Sequence, residues 1–336
     1  MIKDRILGAL YGQAIGDAMG MPSELWPVQK IRACFAGRMT TFQDGPKSNP
    51  VARNYTKGQY TDDTNQAFAI LDALIENHWI PDRQIIVKHL MKWAYAADAF
   101  NRNILGPSSK AALLAIQDGR DPKSVTDQAL TNGSGMRIAP IGTLFDPGHT
   151  DELIAMVDSV TRVTHSSDVA ISGAALIAGA VCAALAFEHW DDVIDYAIDV
   201  QNRAFKLGSP TWAASVRERL FIGLDLAHKY VDDQSAFEKA IYETVGTGTL
   251  ASESIPAAVA IAYYARDVRR CALLAANLGG DTDTIGAMAT AICGAKAGFG
   301  SIDPDWTGLI DSENRQHCIP NYAEAIMKFR EGNNES

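Results

Sequence analysis

The sequence has few cysteines, and none of them is paired in a recognisable motif. Its five cysteines are scattered, without a C-x-x-C pair or zinc-finger spacing, which argues against a disulfide framework or a structural zinc site. Isolated cysteines in odd number are typical of free thiols in a reducing compartment. Residues 1–5 include an early acidic residue and show no cleavage-type signal. We therefore expect a cytoplasmic protein.

Positive charge is also in short supply. The chain has 30 Lys and Arg residues against 40 Asp and Glu residues, for a net charge of −10. Nucleic-acid binding depends on a basic stripe that displaces counterions from phosphates, so we expect no nucleic-acid partner. An acidic protein that binds an anionic substrate needs local cations, and this directs attention to metal sites.

Patterns typical of β-strands are nearly absent. No hairpin dipeptide separates alternating apolar runs, and no Gly-x-Gly-x-x-Gly follows a strand pattern. Apolar residues instead recur at helical spacing, beginning with Ile6, Leu10, Ile15 and Met19. No linker, low-complexity tract or change in composition divides the chain. The sequence predicts an all-α, orthogonal multi-helix bundle that forms a single domain over residues 1–336.

The predicted helices fill most of the chain except for a long polar loop at residues 36–60, which we expect to be functional or mobile. Residues 169–187 carry no charge and reach the length of a membrane span. Because alanine and glycine dominate this run, a buried core helix is favoured, and no membrane partner is expected. The helices are predicted at residues 5–20, from 64 to before 81, from 82 past 93, 109–117, 124–130, 151–163, 168–187, 191–205, 211–229, 235–245, 254–265, 267–276, 283–297 and 321–330.

Two acidic clusters precede predicted helices at opposite ends of the chain. One reads Thr61-Asp62-Asp63-Thr64 and the other Gly279-Gly280-Asp281-Thr282-Asp283-Thr284. Adjacent carboxylates repel one another, and a hard divalent cation with oxygen ligands would relieve that repulsion. Helix capping is the alternative, but one cap needs one such residue. In an extended stretch Asp281 and Asp283 would face the same side. Together the clusters predict one dinuclear site.

Three further polar features have both a structural and a functional interpretation. The glycine-rich loop at residues 132–137 is either a plain loop or an anion nest for phosphate. Arg137 at its end would pair with a phosphate or with an internal carboxylate. His165 is not explained by capping of the following helix, and either contacts a ligand or is structural. Glu24 is a carboxylate in an otherwise apolar context.

Taken in order, these segments resemble the ADP-ribosylglycohydrolase family. That family includes the protein ADP-ribosylarginine hydrolases, the ADP-ribosylserine hydrolase and the dinitrogenase reductase-activating glycohydrolase. The matching segments appear in the family's order, and five motifs in register are highly specific. The first motif comprises residues 8–12 and 16–20 together with Glu24, and the other four are residues 61–64, 132–137, 164–166 and 278–284.

The resemblance implies an all-α fold with a dinuclear Mg²⁺ or Mn²⁺ centre that holds the hydroxyls of the distal ribose and a water molecule. Glu24 matches a carboxylate near that ribose, on a mobile loop, and would position or protonate the leaving side. Asp62, or another ligand carboxylate such as Asp283, would take a proton from the water. By motif position the metal ligands are Thr61, Asp62, Asp63, Asp281, Asp283 and Thr284, the diphosphate cradle is Asn132, Gly133, Ser134 and Gly135, and the ligand-contacting histidine is His165.

The function so implied is a glycosidase that releases ADP-ribose, or a related ribosyl group, from an ADP-ribosylated protein or a small ribosyl-containing acceptor. Two alternatives stay open: a hydrolase of small N-ribosides such as nucleosides, and a catalytically silent ADP-ribose-binding or structural relative. We expect a monomer or a small homo-oligomer. The sequence departs from the family at Ser134, where alanine is common, and at residues 101–109, which keep only part of a glycine-rich pattern. Trp26 and the 36–60 loop would close over the substrate differently.

Overall fold

Apolar residues at three- and four-residue spacing form α-helix along nearly the whole chain. The computed structural model describes residues 2–102 and 104–334, and no β-strand occurs within those ranges. Paired extended residues there form isolated bridges, such as Trp26 with Gly280. The prediction of an all-α, multi-helix fold is confirmed.

Seventeen α-helices occur in the described chain, and a π-helical turn at Ile241–Val245 follows the twelfth. In chain order they are α1 Ile2–Gly20, α2 Val28–Cys34, α3 Asp62–Glu76, α4 Arg83–Ala96, α5 Pro107–Gln117, α6 Lys123–Thr126, α7 Ala139–Gly142, α8 Thr150–Thr161, α9 Asp168–Ala186, α10 Trp190–Phe205, α11 Val216–Lys229, α12 Gln234–Ala240, α13 Ala251–Ala265, α14 Val268–Ala276, α15 Thr282–Ala297, α16 Pro304–Glu313 and α17 Ile319–Asn334.

The first helix and α15 pack backbone against backbone at the centre of the molecule. A Cβ atom on Gly16 would lie 2.0 Å from the carbonyl oxygen of Gly286, and one on Gly8 would lie 2.2 Å from that of Gly294. Only glycine permits so close an approach between two helices. This contact sets the end of α1 beside the first turn of α15, where the second acidic cluster begins.

The uncharged helix α9 lies inside the fold. In its most apolar stretch of 18 residues, 94% of the residues are buried, as expected for a core helix. Gly179 shows why its small residues are needed, since a Cβ atom there would lie 3.0 Å from Cβ of Val200 on α10. The alanine and glycine content of α9 therefore reflects close packing against neighbouring helices.

Several helix boundaries differ from the prediction for identifiable reasons. Helix α11 begins at Val216 instead of residue 211, because the Ser215 side chain caps it by accepting from the amide of Glu218. The short helices α2 and α16 were not predicted. Asp281 and Asp283 were predicted to lie on an extended stretch, but helix α15 already begins at Thr282, and so that prediction is wrong. The Thr282 side chain nevertheless points away from them, with its hydroxyl donating to the carbonyl of Gly20 at 2.8 Å.

The polar loop at residues 36–60 contains no α-helix and is anchored to the helical body at several points, two of which lie near its start. The Arg38 guanidinium donates to the Glu238 carboxylate at 2.8 Å. The side chain of Asn277 accepts from the amide of Met39 at 2.8 Å and donates to its carbonyl at 3.0 Å. Asn277 also stands at the end of α14, so the loop is tied to the segment that leads into the second acidic cluster.

Candidate metal centre and active site

The two acidic clusters meet at the N-termini of α3 and α15. The Thr61 hydroxyl lies 3.2 Å from the Asp63 carboxylate and 3.5 Å from that of Asp283. Carboxylate oxygens of Glu24, Asp281 and Asp283 all lie within 4.8 Å of one another. Both helix N-termini direct partial positive charge at this point, which favours the concentration of negative charge there. The predicted convergence of residues from opposite ends of the chain is therefore observed.

Glu24 reaches the centre because the turn after α1 is bound to the loop before α15. The amide of Leu25 donates to the carbonyl of Gly280 at 2.7 Å, and the amide of Gly280 donates to that of Trp26 at 2.9 Å. Leu25 has a φ of 58°, a left-handed conformation that costs energy for a side chain of this size. The Trp26 ring is buried near Phe35, and so packs inward instead of covering the site.

Capping does not account for the acidic clusters. Thr61 is the N-cap of α3 and Asp281 the N-cap of α15, and neither side chain makes a capping hydrogen bond. Asp17, fully buried on α1, performs this role for α3 instead. Its carboxylate accepts from the amides of Thr61 and Thr64 at 2.8 and 3.0 Å and from the Thr64 hydroxyl at 2.6 Å. The carboxylates of Asp62 and Asp63 are thereby left for another partner.

Asp17 was not assigned a role from the sequence. The available signals were a carboxylate within an otherwise apolar helix, between Ile15 and Met19, and its place in the matched segment 16–20. Burial raises the pKa of Asp17 to about 6, although its hydrogen bonds from Thr64 and Thr61 oppose that rise. Its position behind the cluster makes it a support for the residues that face the centre.

Crowding of buried carboxylates raises their pKa values. Burial, with the charge of Asp17 next, raises the pKa of Asp62 to about 8. Burial and neighbouring carboxylates raise the pKa values of Glu24, Asp63 and Asp283 well above their ordinary range. An excess of negative charge of this kind requires either protons or a cation.

Unsatisfied oxygens test whether a metal pair fits this cluster. Asp63 Oδ1 and Asp283 Oδ1 are buried without a hydrogen-bond partner among the described residues, which is costly unless another group binds them. Thr284 lines the same cavity as Asp63 and Asp281. This donor set contains only oxygen, as Mg²⁺ and Mn²⁺ prefer, and it fits such ions. The residues that would hold them are Thr61, Asp62, Asp63, Asp281, Asp283 and Thr284.

The glycine-rich loop supports the centre as much as it lines the cavity beside it. The Asn132 amide nitrogen donates to the Asp281 carboxylate and to the Ser254 hydroxyl. The Ser134 hydroxyl donates at 3.2 Å to the carbonyl of Ala170, and Gly135 packs against Ile255. Of the four residues predicted to cradle a diphosphate, Asn132 and Gly133 line the cavity, while Ser134 and Gly135 lie behind it.

His165 is completely buried and does not line the cavity. Its neighbour Thr164 accepts from Arg137 at 2.6 Å, so the Thr164 hydroxyl donates to His165 Nδ1 at 2.8 Å. The proton on Nε2 is then directed at the Thr131 hydroxyl, 3.0 Å away. Burial, followed by the charge of Arg137, lowers the pKa of His165 to about 3 and keeps it neutral. Thr131, which lines the cavity, was not predicted as a site residue.

Arg137 does not pair directly with a carboxylate of the described residues, which was one of its two predicted partners. Its buried guanidinium donates to Gln66 Oε1 at 2.6 Å, and Gln66 Nε2 donates to Asp62 Oδ2 at 2.9 Å. Burial lowers the pKa of Arg137 to about 10, so the side chain stays positive at neutral pH. This buried cation has no direct anionic partner, but Gln66 links it to Asp62 and thus to the carboxylate cluster, which stabilises its charge. Gln66 was also missed by the sequence reasoning.

The cavity at the centre has a volume of about 100 Å³. Its wall contains the carboxylates of Glu24, Asp62 and Asp283 together with the N-terminus of α5 and the apolar side chain of Met136. No lysine, arginine or histidine lines it among the described residues. The carboxylates therefore face a small cavity that carries no basic side chain among the described residues.

The fold and the site define a class: an all-α protein in which two helix N-termini carry a buried carboxylate cluster of the kind that binds divalent cations. The sequence model of the ADP-ribosylglycohydrolase family matches residues 1–335. The chain belongs to that family, as its motifs indicated, and the family is one of glycosyl hydrolases with general dependence on divalent metals.

Three relatives span nearly the whole chain. It is 44% identical over 332 residues to the uncharacterized protein YegU of Escherichia coli (strain K12), which covers 98% of both chains. It is 24% identical to ADP-ribosylhydrolase ARH3 of Homo sapiens, over 90% of this chain and 88% of that protein. It is also 24% identical to the ADP-ribosylarginine hydrolase Tri1 of Serratia proteamaculans (strain 568), over 96% and 79%.

A solved structure of an ADP-ribosylglycohydrolase-related protein complex has the same fold. The two superpose with a TM-score of 0.66 at 24% sequence identity, over 98% of this chain and 99% of that one. This likeness establishes the architecture. The substrate has to be inferred from the residues of the site.

Proposed function

We propose that this protein is a metal-dependent glycosidase that cleaves the bond between ADP-ribose, or a related ribosyl group, and its acceptor. The observation that carries the proposal is the pair of orphaned carboxylate oxygens on Asp63 and Asp283 within a cluster assembled from three segments. Such a cluster destabilises the fold unless a cation binds, and its cost is explained if the cation serves a reaction.

The side chains divide the work of the reaction between them. Two divalent cations, when bound, supply positive charge to the ribose hydroxyls and lower the pKa of water. Asp62 is the proposed general base: Gln66 holds its Oδ2 in place, and its other oxygen is left to accept a proton from the attacking water. Glu24 and Asp283 lie close together in the cavity wall. Glu24 would position or protonate the leaving group, while Asp283 orients the ribose.

Hydrolysis of small N-ribosides is the second candidate, and the volume of the cavity favours it. About 100 Å³ is too little for a whole ADP-ribose, since pockets for ligands of that size are roughly 300–1,000 Å³. Ser134 and Gly135 are also turned away from the cavity, which leaves fewer groups for a diphosphate. A catalytically silent binding protein is disfavoured because every proposed ligand position carries an oxygen donor.

A substrate panel with metal control tests the proposal. ADP-ribosyl-arginine, ADP-ribosyl-serine and free nucleosides are each incubated with Mg²⁺, with Mn²⁺ and with EDTA, and ribosyl release is measured. We expect cleavage that EDTA abolishes. Asp281→Asn should lose both activity and bound metal, whereas Asp232→Asn, at an exposed site, should keep both. Unchanged hydrolysis and metal content in Asp281→Asn would refute the assignment, and tight ADP-ribose binding without turnover would support the silent alternative.

A further inference from the structure

A second cleft, of about 360 Å³, adjoins the metal cavity. Ile104 lines both spaces. Asn65 in this cleft stands three residues after Asp62 on α3, so the two side chains share one helix face. Tyr55 also lines it, and after burial the carboxylates of Asp62, Asp17 and Glu24 contribute most to the rise in its pKa. The cleft therefore borders the reacting end of the site.

The wall of this cleft is aromatic and amide-rich. Tyr55 and Trp93 are partly exposed in it, beside the amides of Asn54, Gln59 and Asn65. Aromatic rings stack on planar groups, and amides offer both donors and acceptors to the edge of a ring. The volume falls within the roughly 300–1,000 Å³ of small-ligand pockets. This lining matches a planar heterocycle better than it matches an aliphatic chain.

The charged side chains at the cleft distinguish a cationic leaving group from a neutral or anionic one. Arg102 lines it, and its guanidinium donates to the carbonyl of Ala97 at 3.3 Å and to no carboxylate of the described residues. Among the described residues Glu313 is the acidic side chain in the wall, and it accepts from the Thr56 hydroxyl at 3.1 Å. Because no carboxylate pairs directly with Arg102, its guanidinium disfavours a cationic group such as an arginine side chain in its immediate vicinity, and it favours a neutral or anionic one there.

We propose that this cleft binds the leaving group of the substrate, and that the leaving group is a neutral planar heterocycle of the nucleobase type. The inference rests on the proposed glycosidase function and specifies its substrate class as an N-riboside. Trp93 and Tyr55 stack on the ring, and Asn65 hydrogen-bonds its edge with the amide hydrogen that its bond to the Thr61 carbonyl does not use. Arg102 discourages cationic acceptors.

Three substrates that share the ribosyl group test the proposal with metal present: inosine, an N-ribosylated arginine, and ribosyl fluoride, whose leaving group is too small to fill the cleft. Wild-type protein should cleave inosine at least about tenfold more efficiently than the arginine riboside. Trp93→Ala should lower kcat/KM for inosine by about 5- to 150-fold, the range expected for loss of one stacking contact, and leave ribosyl fluoride within about threefold. Trp212→Ala, at an indole that is 83% exposed, is the matched control and should change neither.

Arg102→Glu provides a second measurement at an exposed position where misfolding is not expected. It should raise kcat/KM for the arginine riboside and lower the ratio of inosine to arginine cleavage by about tenfold or more. Metal-dependent cleavage of ribosyl fluoride with no change in leaving-group preference in either variant would overturn the inference and leave the glycosidase function intact. Absence of any metal-dependent cleavage, of ribosyl fluoride included, would overturn the glycosidase function itself.

Discussion

Replacement of Asp17 by asparagine is predicted to weaken both the fold and the metal centre, although Asp17 is not a proposed ligand. The carboxylate accepts three hydrogen bonds, one on Oδ1 from Thr61 and two on Oδ2 from Thr64. An asparagine has one acceptor oxygen. If that oxygen keeps both bonds from Thr64, its amide nitrogen faces the N–H of Thr61 and leaves that donor buried and unpaired.

The magnitude follows from two contributions. Loss of one hydrogen bond to a charged group costs about 1.5–3 kcal/mol, and a buried unsatisfied donor costs about 1–3 kcal/mol, for a total of about 2.5–6 kcal/mol. An unfolding entropy of about 2.1 cal/mol/K per residue over 336 residues amounts to about 0.7 kcal/mol/K. Asp17→Asn should therefore lower Tm by about 4–9 °C. Displacement of the first turn of α3 should weaken metal binding by about 10- to 100-fold.

Calorimetry in EDTA measures the first effect, and titration of the metal-free protein with Mn²⁺ measures the second. Asp232→Asn serves as the control for a charge change on the surface and should match wild type in both. A Tm within about 1 °C of wild type, together with an unchanged Mn²⁺ affinity, would show that Asp17 does not support the first turn of α3.

Three further predictions concern the surroundings of the centre. In EDTA, the free energy of unfolding should fall as pH rises from about 5 to about 8, because Asp62 has a pKa of about 8 in the folded protein and about 4 in the unfolded chain. Excess Mg²⁺ should make the free energy of unfolding less dependent on pH. A Tm that rises with pH in EDTA would contradict this prediction. Gly16→Ala, whose Cβ would lie 2.0 Å from the Gly286 carbonyl oxygen, should cost about 1–3 kcal/mol in thermal unfolding, while Gly332→Ala, with nothing within 4 Å, should cost nothing. Arg137→Met should lower kcat/KM by about 10- to 100-fold through misorientation of Asp62, and Arg137→Lys should not restore it, since one ammonium group cannot reproduce the planar fork; full activity in either variant would remove Arg137 from the site.

Much of the helical architecture follows from the sequence alone, because helix periodicity is a local property. The long helices α1, α9 and α15 were expected close to where they lie, since each has a dense run of apolar or small residues. Short helices such as α2 and α16 were not predicted, because two or three turns contain too few apolar residues for helical spacing to be recognised.

Some residues of the candidate site were likewise predictable from the sequence, and others were not. The acidic residues at 61–64 and 279–284 stood out in the sequence because their chemistry is unusual in any fold, so a metal centre that includes them remains the prediction that the geometry supports. The supporting residues could not be found in this way. Asp17, Gln66 and Thr131 each look ordinary in the sequence, and only their hydrogen bonds to distant segments give them a role.

By itself, the sequence determined that this protein is helical, acidic and equipped with two clusters of oxygen donors. The tertiary structure alone decided which of those oxygens have no partner, that the Ser134 side chain faces the protein interior, and that Arg102 and Trp93 share a cleft next to Asp62. The physical reason is that composition and periodicity act over a few neighbouring residues. Hydrogen-bond satisfaction and the shape of a cavity depend on segments brought together from far along the chain, here by the backbone contact between α1 and α15.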